Sequence, residues 1–155
     1  MSRIQIISGN LLDQIVEVIV NPWNRNIFPW WLLIPQGVSG AIKRHSGLEP
    51  FRQLARMPMI PLGGAVLTSP GKLSFKAIIH VASINLCWMG SEFATREATK
   101  NALKLACIQN FSSVAFPTIG AGTGGLSEAK SLEIIQQVAN SSDYFGKVVI
   151  VRYRA

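Results

Sequence analysis

The stretch 114–128 sets the tightest limit on how this chain folds. It begins as an apolar run, Val114-Ala-Phe-Pro, passes glycines at 120, 122, 124 and 125, and resumes as a helical pattern after Ser127. That order reads as strand, glycine-rich loop, helix. The loop leaves backbone N–H groups unshielded and the helix adds the positive end of its dipole, a combination suited to an anion. Alone, such a loop reads better as a plain strand-to-helix turn, since glycine-rich loops are common. A second glycine-bearing helix start, Gln36-Gly-Val-Ser-Gly40, gives the anion reading its weight.

The rest of the chain repeats the alternation of short apolar runs and helical patterns. Strands are expected at 4–7, at 15–20 (ending at Asn21-Pro22), at 65–69, at 75–82, at 112–117 and at 147–153. Pro22 removes a donor and is expected to stop the second strand. Helices are expected from Gly37 to Gly47, from Glu49 to Arg56 with Phe51, Leu54 and Ala55 inward, from Ser91 to Asn110, and from Ser127 to about Asn140. In the third, Ala94, Ala98, Ala102, Leu105 and Ala106 share one face. In the fourth, Leu132, Ile135, Val138 and Ala139 do. This pattern predicts an α/β chain, a three-layer α/β/α sandwich with a mixed, mostly parallel central sheet, and one domain over residues 1–155.

Composition narrows the class. The 155 residues are 48% hydrophobic and only 15% charged, against roughly 25% charged in ordinary soluble proteins. The most apolar patch, residues 27–34, is short and holds a proline, so no membrane span or membrane partner is expected, and the N-terminus lacks a secretory pattern. A cytoplasmic location follows as an expectation. Cys87 and Cys107 fit no metal spacing and read as buried free thiols in a reducing compartment. No cofactor and no metal are expected. His80, inside an apolar strand, reads as a core residue. Fifteen Lys and Arg against eight Asp and Glu give a net charge of +7, which favours anionic partners. Trp23, Trp30 and Trp31, in the proline-rich segment 22–35, either plug the core or wall a pocket.

Five motifs, in order and spacing, resemble the macro domain family of ADP-ribose-binding modules over nearly the whole chain. They are Gly9-Asn10-Leu11-Leu12, Val20-Asn21-Pro22-Trp23-Asn24, Gly37-Val38-Ser39-Gly40-Ala41-Ile42, the strand with Ile79-His80, and Ala115-Phe116-Pro117 leading into the glycines at 120–125. The resemblance implies roles for particular residues. Asn10 would stand where the family's acidic residue accepts from the adenine amino group, with the Leu11 N–H nearby. Gly37, Val38, Ser39 and Gly40 would offer backbone donors to one phosphate; Gly120, Ala121, Gly122, Thr123, Gly124 and Gly125 would serve the other. Asn24 would contact the distal ribose and belong to the catalytic constellation of hydrolytic members. The chain departs from the family in three places. Asn10 replaces the acidic residue, Ser39 replaces an aspartate of many hydrolytic members, and Leu33-Ile-Pro-Gln36 stands where the family has a glycine run.

Three functions are therefore open at this stage. One is binding of ADP-ribose or a related nucleotide diphosphate, free or attached to protein or nucleic acid. Another is hydrolysis of mono-ADP-ribose by substrate-assisted water attack with Asn24, since no Asp or Glu lies between Glu17 and Glu49. The third, ranked last, is nucleic-acid binding along the cationic stripe Arg96, Lys100 and Lys104, which a solvated helix face explains better, since no aromatic residue interleaves the cations. The sequence leaves the oligomeric state open.

Overall fold

The computed structural model describes residues 3–23, 37–83, 91–121 and 125–154. Among them are six strands and four α-helices. In chain order they are β1 (Ile4–Gly9), β2 (Val18–Trp23), α1 (Gly37–Ser46), α2 (Glu49–Ala55), β3 (Ala65–Thr68), β4 (Ala77–Ala82), α3 (Glu92–Ile108), β5 (Ser113–Pro117), α4 (Glu128–Ser141) and β6 (Lys147–Tyr153). The six strands form one sheet in the order β1-β6-β5-β2-β4-β3. Only the β3–β4 pair is antiparallel; the other four pairings are parallel.

Side chains alternate between two cores, one on each face of the sheet. Val18, Val20, Ile79, Val81, Val114, Phe116, Val148 and Ile150 pack with α3 and α4. Ile19, Ile78, Ala115, Val149 and Val151 pack with Ile42 of α1 and with Phe51 and Leu54 of α2. Because both faces are covered, the central strands lose the polar alternation of a half-exposed sheet, and β4 and β5 are buried at every position. Fully burying one such aliphatic or aromatic side chain contributes about 1.5–3 kcal/mol.

Helix ends follow local chemistry. Ser91 caps α3 by accepting from the Ala94 N–H at 3.0 Å, and Ser127 caps α4 by accepting from the Lys130 N–H at 3.1 Å. α3 stops at Ile108, short of the expected Asn110. Asn110 adopts φ 58°, Phe111 N–H reaches Ala106 O at 3.0 Å, and Asn110 N–H reaches Cys107 O at 3.1 Å. This is a Schellman stop with asparagine in glycine's usual place.

Four sequence expectations are corrected. The run 15–20 is not all strand: Ile15 is 95% exposed and β2 starts at Val18. β2 also continues through Pro22 to Trp23, because past Ile19 only β4 still pairs with it and the missing proline donor breaks no second ladder. Ala55 is exposed, since the buried face of α2 is formed by Pro50, Phe51 and Leu54. Cys107 is an exposed thiol on the outer side of α3, not a buried one, while Cys87 lies outside the described residues. Among the described residues, no helix is long and apolar enough to cross a membrane.

Candidate functional site

The site is built where β2 and β5 part. Their ladder holds at Val18↔Val114 and Ile19↔Ala115 and goes no further, although β2 runs on to Trp23 and β5 to Pro117. Pro22 and Pro117 each withdraw a donor just beyond that point. The chain leaving β2 enters α1, on the face of Ile42 and Phe51; the chain leaving β5 enters α4, on the opposite face with Ile134 and Ile135. Adjacent parallel strands whose helices depart to opposite faces leave a crevice at their carboxyl ends, the usual ligand position in open α/β sheets.

A glycine-bearing turn follows each of the parted strands, α1 after β2 and the loop to α4 after β5. α1 begins at Gly37, whose φ of +60° favours glycine and over which a side chain would find open space within 4 Å. Gly37, Val38 and Ser39 precede the first intrahelical N–H bond of α1, and no acidic side chain occupies that turn. Ser39 is buried and its Oγ has no protein partner. On the other side, the loop after β5 is closed at its neck. Leu126 N–H bonds Gly120 O at 2.9 Å, Ala121 N–H bonds Thr118 O at 3.2 Å, and Ser131 of α4 donates to Ile119 O at 2.7 Å. Gly120 and Gly125 adopt φ of +81° and +80°, and the space over Gly125 is open. Among the residues singled out from sequence, Asn24 and 122–124 lie outside the described residues, as do Trp30 and Trp31.

Asn10 follows β1, at the same pole. Its Oδ1 accepts the Leu12 N–H at 2.9 Å, capping the 3-10 turn Leu11–Asp13, and Leu11 is buried beneath. The cap uses one lone pair of the amide oxygen, and the other polar atom of Asn10 is a donor, where a carboxylate would keep a second, charged acceptor oxygen. Trp23 is buried against Phe51, ring centroids 5.2 Å apart, which answers for this residue whether it plugs the core.

Sequence reasoning missed Asn21. Its Nδ2 meets His80 Nδ1 at 2.9 Å, and His80 Nε2 meets Thr68 Oγ1 at 2.8 Å. Thr68 donates to Ser69 O at 3.0 Å. An amide N–H donates only, so His80 accepts at Nδ1, carries its proton on Nε2 and passes the chain to Thr68. Burial pushes the imidazole down to about 3, so the ring stays neutral. The Asn21 Oδ1 is left without a partner. An asparagine ending a β-branched run and a histidine inside an apolar strand were the available signals.

The described buried side-chain atoms without a protein partner are Asn21 Oδ1, Ser39 Oγ, Ser83 Oγ and Thr95 Oγ1. All four belong to the carboxyl half of the sheet's strands, to the turns that follow them or to the helix turns that start there. At the same pole Glu128, in the first turn of α4, accepts from Arg152 Nε at 2.8 Å and Arg154 Nη2 at 3.3 Å. These arginines hold its carboxyl below the usual carboxylate range. It anchors the helix and is not a free base.

Comparison with known proteins agrees with this architecture. The family described as Macro domain matches residues 20–135. The chain is 36% identical over 157 residues to the O-acetyl-ADP-ribose deacetylase of Salmonella newport (strain SL254), covering 96% of this chain and 83% of that protein. The Oceanobacillus iheyensis macrodomain with ADP superposes with a TM-score of 0.82 at 26% identity, covering 96% of this chain and 82% of the other. A mutant of that macrodomain with ADPR superposes with a TM-score of 0.80 at 27% identity, covering 97% and 84%. With its splayed β2 and β5, its paired glycine-bearing helix starts and this family match, the chain belongs to the macro domain family.

Proposed function

We propose that this protein binds ADP-ribose, its diphosphate held between the α1 amides of Val38, Ser39 and Gly40 and the loop from Gly120 to Gly125. The observation that supports the reading is the parting of β2 and β5, each followed by a glycine-bearing turn into a helix of the opposite layer. A diphosphate needs donors on two sides and no bulky side chains between, and Gly37 and Gly125 leave that space open. The net charge of +7 favours the approach of an anion. Relatives solved with ADP or ADPR support the ligand class. The ligand is free or carried on a macromolecule. Isothermal titration with ADP-ribose tests the reading: saturable heat supports it, and no heat together with no thermal shift at millimolar ligand removes it.

Hydrolysis of an ADP-ribosyl linkage is the second reading, favoured by relatives named O-acetyl-ADP-ribose deacetylase. Ser39 stands in the first turn of α1 where a carboxylate would serve as base, and Glu128 is committed to arginines. Water attack assisted by a phosphate oxygen of the substrate fits that composition, with Asn24 orienting ribose or water. Asn24→Ala is then expected to lower kcat at least about tenfold with a smaller loss of affinity; equal losses would remove the catalytic role.

A further inference from the structure

Charge is divided unequally between the two helical layers. α3 and α4 together carry four Lys or Arg, at 96, 100, 104 and 130, and four Glu, at 92, 97, 128 and 133. Residues 37–76, which hold α1, α2 and the turn after β3, carry six Lys or Arg and a single Glu. Of those six, Lys76 pairs with Glu17 at the amino end of the sheet, and Lys43 lies over the Phe51 ring with Nζ 5.3 Å from its centroid. The other four, Arg44, Arg52, Arg56 and Lys72, are exposed, and none enters an ion pair among the described residues. They belong to one surface. The Lys72 N–H bonds Ser46 O of α1 at 2.8 Å, the Lys72 stem packs over Gly47, and Ser69 exchanges hydrogen bonds of 2.8 and 3.0 Å with Gln53 of α2. Arg52 and Arg56 stand four apart on α2 and its C-cap, a like-charge spacing that weakens a helix. Each helix C-terminus is equivalent to about half a negative charge, so the ends of α1 and α2 together answer for one cation and Glu49 for another. The rest of the positive charge is uncompensated among the described residues of this layer.

We infer that the outer face of α1 and α2 docks the phosphate backbone of a nucleic acid, with an ADP-ribosyl group on that strand reaching the crevice. What enters the crevice rests on the ADP-ribose reading above. α1 joins the two places: Gly37 opens it at the crevice, and Arg44 lies in its last turn, about 10 Å along the axis. Three of the four exposed cations are arginines, whose planar fork pairs with two phosphate oxygens at once. A partner with regularly spaced negative charge suits cations spread over two helices and a turn. Phe51 and Phe75, the two phenylalanines of this stretch, are buried and offer bases no stacking surface. The contact is therefore with the backbone and is blind to base sequence. The stripe at Arg96, Lys100 and Lys104 is the weaker candidate. Its layer is balanced in charge, and Arg96 already bonds Gln137 at 3.2 Å.

The test is fluorescence anisotropy with a labelled single-stranded DNA of about 20 nucleotides, beside calorimetric titration with ADP-ribose. Two triple variants remove the same charge from opposite layers: Arg44→Gln, Arg52→Gln and Arg56→Gln on the docking face, and Arg96→Gln, Lys100→Gln and Lys104→Gln on α3. The first is expected to weaken DNA binding at least about tenfold and to reduce its salt slope by about 2; the second is expected to stay within about threefold of wild type. Both are expected to hold ADP-ribose within about twofold of wild-type affinity at physiological salt, where distant surface charges are screened. Saturating ADP-ribose is expected to leave the DNA bound. Equal losses in the two variants overturn the inference, because net charge alone then governs binding. Polyglutamate that competes as well as unlabelled DNA of equal charge overturns it by making the partner an acidic protein. Displacement of the DNA by ADP-ribose overturns it by placing the DNA in the crevice. Wild type that binds ADP-ribose but no DNA overturns the inference alone; wild type that binds DNA but no ADP-ribose removes the ADP-ribose reading and the inference with it.

Discussion

Asn21 on β2 and His80 on β4 sit opposite each other in register, and the asparagine amide meets the imidazole Nδ1 at 2.9 Å in full burial. The pair links two central strands below the crevice and extends through Thr68 to the edge strand β3. Phe51 closes over it, edge to face, with centroids 5.9 Å apart.

This pair makes stability depend on pH. The folded His80 titrates at about 3, below the ordinary value of 6.5, because burial disfavours its charge. The unfolded chain therefore takes up the proton first. Stability is full above pH 6.5 and falls as pH drops toward 3, by up to about 1.4 kcal/mol per pH unit. Denaturant melts between pH 7 and pH 4 should show this slope, and His80→Gln should flatten it. A slope unchanged in that variant contradicts the assignment.

A second acid-sensitive latch lies at the other end of the sheet. Glu17 pairs with Lys76 and accepts the Ser112 N–H at 2.6 Å. The bond from Lys76, then those from Ser112, lower its carboxyl to about 2. A depressed carboxylate stabilises the fold above its unfolded value of 4.5, and that contribution is lost as pH falls from there toward 2. Glu17→Gln should lower the melting temperature at pH 7 and narrow its gap to wild type at pH 3. An equal gap at both pH values would count against the latch.

Gly120 and Gly125 separate conformational strain from steric clash. Both have φ near +80°, but only at Gly120 would a Cβ strike a neighbour, Thr95 Oγ1 at 2.6 Å. Alanine at either position pays the left-handed cost of about 1 kcal/mol. Gly120→Ala should lose more than Gly125→Ala, and adding Thr95→Ala should recover the difference. Additive effects in that double variant would show that the two residues do not touch.

Asn10 gives a prediction on ligand preference. Its single acceptor oxygen is neutral and already caps Leu12, whereas aspartate caps with one oxygen and offers a second, charged one. If the resemblance places the adenine amino group here, Asn10→Asp should tighten ADP-ribose several-fold, in line with a charge-assisted bond. Titration of both proteins checks this, and unchanged affinity argues that the base lies elsewhere.

In the core, Phe116→Ala should cost about 3–5 kcal/mol, because Phe116 is fully buried under α3 and α4. Chemical denaturation measures it. A loss under about 1 kcal/mol would mean that the site collapses around the gap.

The alternation of strands and helices, the mostly parallel sheet and the two glycine-bearing helix starts were legible in the residue pattern. Periodicity, caps such as Ser91 and Ser127, and glycine placement are local properties, written in neighbouring residues. The limits of β2 were not legible: Ile15 has the composition of a strand but no neighbour, and Pro22 stays in the strand because one of its two ladders has already ended. Nor was the exposure of Cys107. Only the tertiary structure decided that β2 and β5 lie side by side, that Asn21 meets His80, and that Thr95 stands behind Gly120. Each joins residues at least 25 positions apart, and no local pattern encodes a contact that strand order alone creates.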